Sequence, residues 1–302
     1  MIEKAFSTPE EITEIYNEIG KKKAARPVHK QLLLGLLAGS FVAMVSQGSH
    51  VAVHTIANIS IARTLSGALF STALVLIVIA GGELFTGNTL MVIAAAKKRI
   101  TVLSMLRNWL VVYCGNFLGA LTIVTLINIS GQLNLSGGSL GGYTILVAVN
   151  KVNLPFHSAF IFGIFCNWLV CLAVWMSSGA QDVAGKILSI FFPIWIFVIS
   201  GFEHSIANMY YIPAGILAMQ NPEWVTAAIE VFGVTPERMA NLNWFTLFRN
   251  NLLPVTLGNL VGGGFFVGIS YLIAFGKLDP TDPNYYWTKR QEAKKIAKEP
   301  QK

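Results

Sequence analysis

Two stretches of this 302-residue chain place groups that can exchange a proton, or hold a small polar solute, inside otherwise apolar sequence. The first to catch attention is Ser200-Gly201-Phe202-Glu203-His204-Ser205-Ile206-Ala207-Asn208, which contributes a carboxylate, an imidazole and an amide. Apolar residues run from Ile187 to Ile199 before it and from Met209 to Met219 after it. As unbroken helix, that run of about 33 residues would measure roughly 50 Å, against about 30 Å for the hydrocarbon core of a bilayer. A break near the middle resolves the mismatch. Ionisable groups at membrane depth are costly and mark a permeation or relay site.

The pattern occurs twice. Leu65–Ala96 is also overlong and is interrupted by Gly81-Gly82-Glu83-Leu84-Phe85-Thr86-Gly87-Asn88, so that Glu83 and Asn88 repeat the spacing of Glu203 and Asn208. Arg107-Asn108 leads to Gly115-Asn116, as Arg249-Asn250 leads to Gly258-Asn259, and Gly35 and Gly163 hold matching places in the preceding apolar runs. The echoes come in the same order in both halves, which argues for duplication. Paired broken helices in two membrane halves point to a transport site at their interface.

The elements that must carry these breaks follow from composition. Hydrophobic residues make up 54% and charged residues 12% of the chain, which excludes an ordinary soluble domain. Six apolar segments are expected, at 31–56, 65–96 (broken), 105–129, 155–177, 187–219 (broken) and 252–275. The fold class is therefore all-α and integral to a membrane, with helices 2 and 5 broken. Basic residues crowd one side: Lys4, Lys21, Lys22, Lys23, Arg26 and Lys30, then Lys97, Lys98, Arg99, Arg107 and Lys186, then Lys277 and the tail. The other side has only Arg63, Lys151, Arg238 and Arg249. The positive-inside rule puts both termini in the cytoplasm. Three spans per half then make the repeat inverted. The net charge of +7 reads as topology; no basic–aromatic stripe suggests nucleic acid.

Residues 1–30 form a cytoplasmic segment, 31–277 the pore domain and 278–302 a basic tail. Thr8-Pro9-Glu10-Glu11 has the signature of a capping box with proline at the first helical position. An amphipathic helix should run from there to Ala25 with Ile12, Ile15 and Ile19 on one face, either resting on the membrane surface or forming a lid below the pore. The third loop is Gly-rich (Gly137, Gly138, Gly141, Gly142) before an apolar stretch from Tyr143 to Val149, which can form a short helix dipping into the outer vestibule, and ends at Lys151. The fifth loop should hold a surface helix from Pro222 to Phe232. The tail reads as solvated, with contact to anionic headgroups as its alternative.

The phrases Gly-Glu-Leu-Phe-Thr-Gly-Asn at 82–88, Gly-Phe-Glu-His-Ser-Ile-Ala-Asn-Met-Tyr at 201–210 and Pro-Val-Thr-Leu-Gly-Asn at 254–259 resemble the formate/nitrite transporter family, which includes hydrosulfide channels. The resemblance spans Pro9 to Phe275. It implies an aquaporin-like fold assembled as a homopentamer with one pore per subunit, and passage of small monovalent weak-acid anions: formate, nitrite or hydrosulfide. Matched by motif, the family's central histidine falls on His204, its broken-helix threonine on Thr86 and its vestibule lysine on Lys151. Phe70, Leu74, Leu84, Phe85 and Phe197 would narrow the pore.

Those residue types suit the task. An anion entering an apolar constriction loses its hydration; a lysine at the mouth attracts it first, and hydroxyl and imidazole donors replace part of its water. Other readings stand beside these. Glu83 and Glu203 are proton carriers or, as the favoured reading, acceptors for freed backbone groups that also orient His204. Asn88 and Asn208 cap the half-helices first and line the pore second. Lys151 on its own is a solvated loop lysine. His50 and His54, four apart, have metal-ligand spacing but no third ligand. Cys114, Cys166 and Cys171 behave as small hydrophobes, and Gly262-Gly263-Gly264 marks close helix packing. No cofactor fingerprint or nucleophile motif is present, so neither a cofactor nor an enzyme is expected. The competing classes are a neutral-solute pore, which lacks its paired Asn-Pro-Ala boxes here, and a membrane redox subunit, for which His204 has no axial partner.

Overall fold

The computed structural model describes residues 6–276; the tail at 278–302 lies outside the described residues. The helices begin where the sequence supplies caps. In α1 (Pro9–Ala25) the Thr8 hydroxyl accepts from the Glu11 N–H while the Glu11 carboxylate accepts from the Thr8 N–H. α2 (Val28–Val53) follows at once. Asn58 caps α3 (Ile59–Gly81), whose last turn widens into a π-helix before Gly81 turns the chain with φ +99°. After the extended residues Gly82 to Leu84 the chain resumes as α4 (Phe85–Ala96), and Thr101 caps α5 (Val102–Ile129).

The second half repeats this order. α7 (Phe156–Gly179) corresponds to α2, and α8 (Val183–Ile199), capped by Asp182, corresponds to α3. Gly201, at φ +70°, turns the second break. α9 (Ser205–Ala218) corresponds to α4, and α11 (Trp244–Phe275) to α5. Between the halves lie α6 (Ser139–Val152) and, beyond α9, α10 (Pro222–Glu230). Five described helices are long and apolar enough to cross a bilayer alone. The sixth crossing is made jointly by α8 and α9. Among the described residues there is no β-structure beyond one bridge between Phe6 and Ala180.

Each half is framed by two helices in backbone contact. A Cβ on Gly119 would lie 2.0 Å from the carbonyl oxygen of Leu36, and one on its counterpart Gly262 would lie 2.2 Å from that of Ile164. Only glycine lets α2 meet α5, and α7 meet α11, this closely. The two broken elements are held between these frames.

The structure gives detail to three local expectations. α1 uses Ile12, which is buried, and Ile19, which packs on the same cluster, while Ile15 is only half-buried. Its buried stripe is Ile12, Tyr16, Gly20 and Ala24, and it packs on Leu90, Ile93, Trp175 and Val267, with the Tyr16 and Trp175 rings stacked at 5.2 Å. The short helix expected in the third loop is present and starts earlier than the apolar stretch: α6 begins at Ser139, inside the Gly-rich part, and buries Leu140, Ile145, Ala148 and Val149. The helix in the fifth loop ends at Glu230, two residues before Phe232, with Pro222, Glu223, Thr226, Ile229 and Glu230 exposed on its outer side. Its Trp224 and Ala228 close onto α6 at Gly141 and Gly142, whose missing side chains make the room.

Candidate functional site

The two breaks build the same cluster of side chains. In the first, Asn88 Nδ2 donates to Glu83 Oε2 at 2.7 Å and to Asn108 Oδ1 at 2.8 Å, and Asn108 Nδ2 donates to Glu83 Oε2 at 3.1 Å. In the second, Asn208 Nδ2 donates to Glu203 Oε2 at 2.6 Å and to Asn251 Oδ1 at 2.7 Å, and Asn251 Nδ2 donates to Glu203 Oε2 at 3.3 Å. All six side chains are buried. The remaining carboxylate oxygen is paired with a cation in both halves: Arg26 of α1 on Glu83, and Lys151 of α6 on Glu203 at 2.9 Å. A buried carboxylate needs this degree of satisfaction to stay charged.

The freed half-helix ends are satisfied by two further asparagines. Asn116 Oδ1 accepts from Phe85 N–H at 3.0 Å, and its Nδ2 donates to the carbonyls of Gly35 and Glu83. Asn259 Oδ1 accepts from Ser205 N–H at 2.9 Å, and its Nδ2 donates to the carbonyls of Gly163 and Glu203. The capping expected of Asn88 and Asn208 thus belongs to Asn116, Asn259 and His204, because the first two amides are taken up by the carboxylates. The Glu83 and Glu203 carboxylates bind side-chain amides and a cation rather than backbone groups, and the hydrogen bonds of His204 go to Thr86 and Ala207 instead.

Where the halves differ, they meet. His204 stands at the place of Leu84, and Thr86 at the place of Ile206. His204 Nε2 lies 2.9 Å from Thr86 Oγ1, and His204 Nδ1 accepts from the Ala207 N–H at 3.1 Å. In a neutral imidazole that acceptor role fixes the ring proton on Nε2, which therefore donates to Thr86. Asn167 Nδ2 ties the halves together a second time, reaching the carbonyls of Thr86 at 3.2 Å and Asn259 at 2.6 Å.

Two vestibules approach this junction. One, of about 360 Å³, lies on the α1 side and is lined by Lys23, Arg26, Leu74, Leu84 and Asn88. The other, of about 510 Å³, lies on the far side and is lined by Arg63, Phe70, Lys151, Phe197, His204 and Asn208. Between them is a void of only about 10 Å³ that shares Leu74 and Leu84 with the first vestibule, and Phe70, Phe197 and His204 with the second. Phe85 lines none of the three. Its backbone is fixed to α5 through Asn116, which turns the ring onto Tyr113 and Trp109 at 5.0 and 6.3 Å. Thr86 is wholly buried behind His204.

Lys151 is not a solvated loop residue. It sits in the last turn of α6 with its side chain 16% exposed, and its ammonium also lies over the Tyr211 ring, 5.2 Å from the centroid. Lys23 donates to Asn88 Oδ1, and desolvation of its ammonium lowers its pKa, opposed by the nearby Glu83. Asn208 Oδ1, the symmetry counterpart of that acceptor, has no hydrogen-bond partner among the described residues. His50 stacks on Tyr211 at 4.9 Å and His54 binds Val51 O and Ser136 Oγ, so the pair does not converge. Among the described residues no group of three or more His, Cys, Asp or Glu side chains is placed to hold a metal.

Sequence reasoning did not assign site roles to Lys23, Arg26, Asn108, Asn116, Asn251 or Asn259. It also aligned Asn108 with Asn250. The structural counterpart is Asn251, because a π-helical segment at Leu247–Leu252 places Asn251, rather than Asn250, in the cluster. The signal was in the spacing: Asn108 precedes Asn116 by the same interval as Asn251 precedes Asn259.

Comparison with known proteins places this geometry. The family model described as formate/nitrite transporter matches residues 10–273. The chain is 37% identical over 266 residues to the formate channel FocA of Haemophilus influenzae, spanning 87% of this chain and 92% of that protein. It is 38% identical over 281 residues to the uncharacterized transporter YrhG of Bacillus subtilis, spanning 91% and 96%. A solved pentameric formate channel with formate bound matches with a TM-score of 0.74 at 37% identity, covering 83% of this chain and 98% of that one.

Proposed function

Because the chain belongs to the formate/nitrite transporter family, we propose that it conducts small monovalent weak-acid anions across the cell membrane, formate foremost, with nitrite and hydrosulfide as competing cargo. It works as a homopentamer, the assembly of the solved relative with formate bound, with both termini in the cytoplasm as the clustering of basic residues on the α1 side supports. The α1-side vestibule is then the cytoplasmic one.

The observation that carries this reading is the Thr86–His204 hydrogen bond beside the void between the two vestibules. An anion that leaves a vestibule gives up water among Leu74, Leu84, Phe70 and Phe197, and gains hydrogen-bond donors only at this junction. Thr86 Oγ1 already accepts the His204 Nε2 proton, and its own hydroxyl hydrogen has no acceptor among the described residues. The pair therefore offers the permeant that hydroxyl hydrogen, or the Nε2–H once the Thr86 contact yields. Taking up a second proton would require His204 to release the Ala207 N–H from Nδ1, so proton coupling moves the start of α9.

The test is uptake of formate into proteoliposomes across a pH series. His204→Asn keeps a donor and should still conduct, with its dependence on pH largely gone. His204→Phe removes the donor. Losing a hydrogen bond to a charged group costs about 1.5–3 kcal/mol, so flux should fall roughly ten- to a hundredfold in an intact oligomer. Wild-type flux and pH profile in His204→Phe would sink the assignment.

A further inference from the structure

The vestibule lysine that the sequence suggested does not present a free charge on the far side. Lys151 is balanced by Glu203 at 2.9 Å and shielded by the Tyr211 ring. The two nearest formal charges in that vestibule therefore cancel. Of the other basic residues on this side, Arg238 is bound to Asn150 Oδ1 at 2.7 Å and Arg249 lies over the Phe245 ring at 5.8 Å.

Arg63 is different. It projects from the second turn of α3, is exposed, and has no ion-pair partner among the described residues. It lines the far vestibule and also a neighbouring cavity of about 730 Å³ that opens beside it. The titratable groups that line these two spaces are His50, His54, Tyr143, Lys151, Glu203, His204 and Tyr211 besides Arg63 itself, and Glu203 is the one carboxylate among them. The guanidinium reaches over the second break: its Nη1 is 3.9 Å from where a Cβ on Gly201 would stand, three residues before His204.

We propose that Arg63 is the anion-collecting residue of the far vestibule, holding the incoming monovalent anion at the rim of the second break before it meets Thr86 and His204, whereas Lys151 is a counter-ion of the scaffold. This rests on the anion-conducting reading above. A single uncompensated charge facing a cleft raises the local concentration of oppositely charged solute and speeds its arrival. A guanidinium suits a carboxylate or nitrite, since it offers two parallel N–H donors. Because the charge is exposed, the effect must fade as salt shortens the Debye length from roughly 30 Å at 0.01 M to roughly 3 Å at 1 M.

The experiment measures the initial rate of formate uptake into proteoliposomes at about 10 mM and about 1 M ionic strength, for wild type, Arg63→Gln and Arg63→Lys, each checked for oligomer size by chromatography. Arg63→Gln should lose about tenfold at low salt and come within about twofold of wild type at high salt. Arg63→Lys, which keeps the charge, should retain most of the low-salt rate. Equal rates for Arg63→Gln and wild type at low salt would overturn the proposal, as would the same fractional loss at both salts. If wild type itself takes up neither formate, nitrite nor hydrosulfide at either salt, the conducting reading fails and this proposal falls with it.

Discussion

The first and second helix breaks contain the same carboxylate, the same two amides and the same capping asparagine, yet they obtain their cations from different places. Glu83 is neutralised from outside its half, by Arg26 at the end of α1, with Lys23 beside it on Asn88. Glu203 is neutralised by Lys151, from the helix that links the halves. Among the described residues the first break has two cations and every amide oxygen satisfied, whereas the second has one cation and leaves Asn208 Oδ1 without a partner. The polar scaffold is thus common to both halves, whereas Thr86 and His204 are each found in only one. The shared scaffold and the pair that differs are separate layers built on the same two breaks.

The sharpest test of that separation is removal of the lone cation of the second break. Lys151→Ala strands a buried carboxylate, which costs about 3–5 kcal/mol. Thermal stability of the oligomer should drop steeply, the loss of flux should be the same at low and high salt, and Lys151→Ala combined with Glu203→Gln should recover much of the stability. A stable single variant whose flux defect vanishes in high salt would return Lys151 to the role of an exposed attractor.

The capping asparagines test whether the halves are energetically equal. Asn116→Ala and Asn259→Ala each strand one amide N–H and two carbonyls, at about 1–3 kcal/mol for a buried group left unsatisfied. The two variants should lower the unfolding midpoint by similar amounts. A large effect in one and none in the other would mean that the mirrored geometry hides unequal halves.

Lys23→Met should have the smallest effect, under about 1 kcal/mol, because losing the bond to Asn88 is offset by no longer burying an ammonium. The variant makes the first break like the second, with its amide oxygen unpartnered. Burial lowers the Lys23 pKa. Between that lowered value and the ordinary lysine value the unfolded chain binds more protons than the folded one, so wild-type stability should rise with pH there. The rise should be missing in Lys23→Met, as melting curves across the alkaline range would reveal.

Much of this was legible in the residues. The double Glu-to-Asn interval located both breaks, the Gly35 and Gly163 echo located the framing helices, and Thr8 with Glu11 gave the first helix its start. Less was legible where a residue's role depends on what crosses from another element. Lys23 and Arg26 looked like topology charges because nothing local ties them to Glu83, some sixty positions away. Lys151 looked solvated because the helix that carries it opens with glycines, which are there for Trp224 rather than for a loop. Asn251 was hidden by one residue, since the matching Arg-Asn dipeptides drew the alignment to Asn250, whereas a π-helical segment places Asn251 in the cluster.

The position of the two cations has a consequence for how the chain is made. Arg26 precedes Glu83, and Lys151 precedes Glu203, so as the polypeptide emerges from the ribosome neither acidic side chain reaches the bilayer ahead of its partner. Each break can be neutralised during insertion, in order, by a cation that is already made. The bond between Thr86 and His204 is different. It joins the first break to the second, and so can close only after the second broken crossing has been threaded.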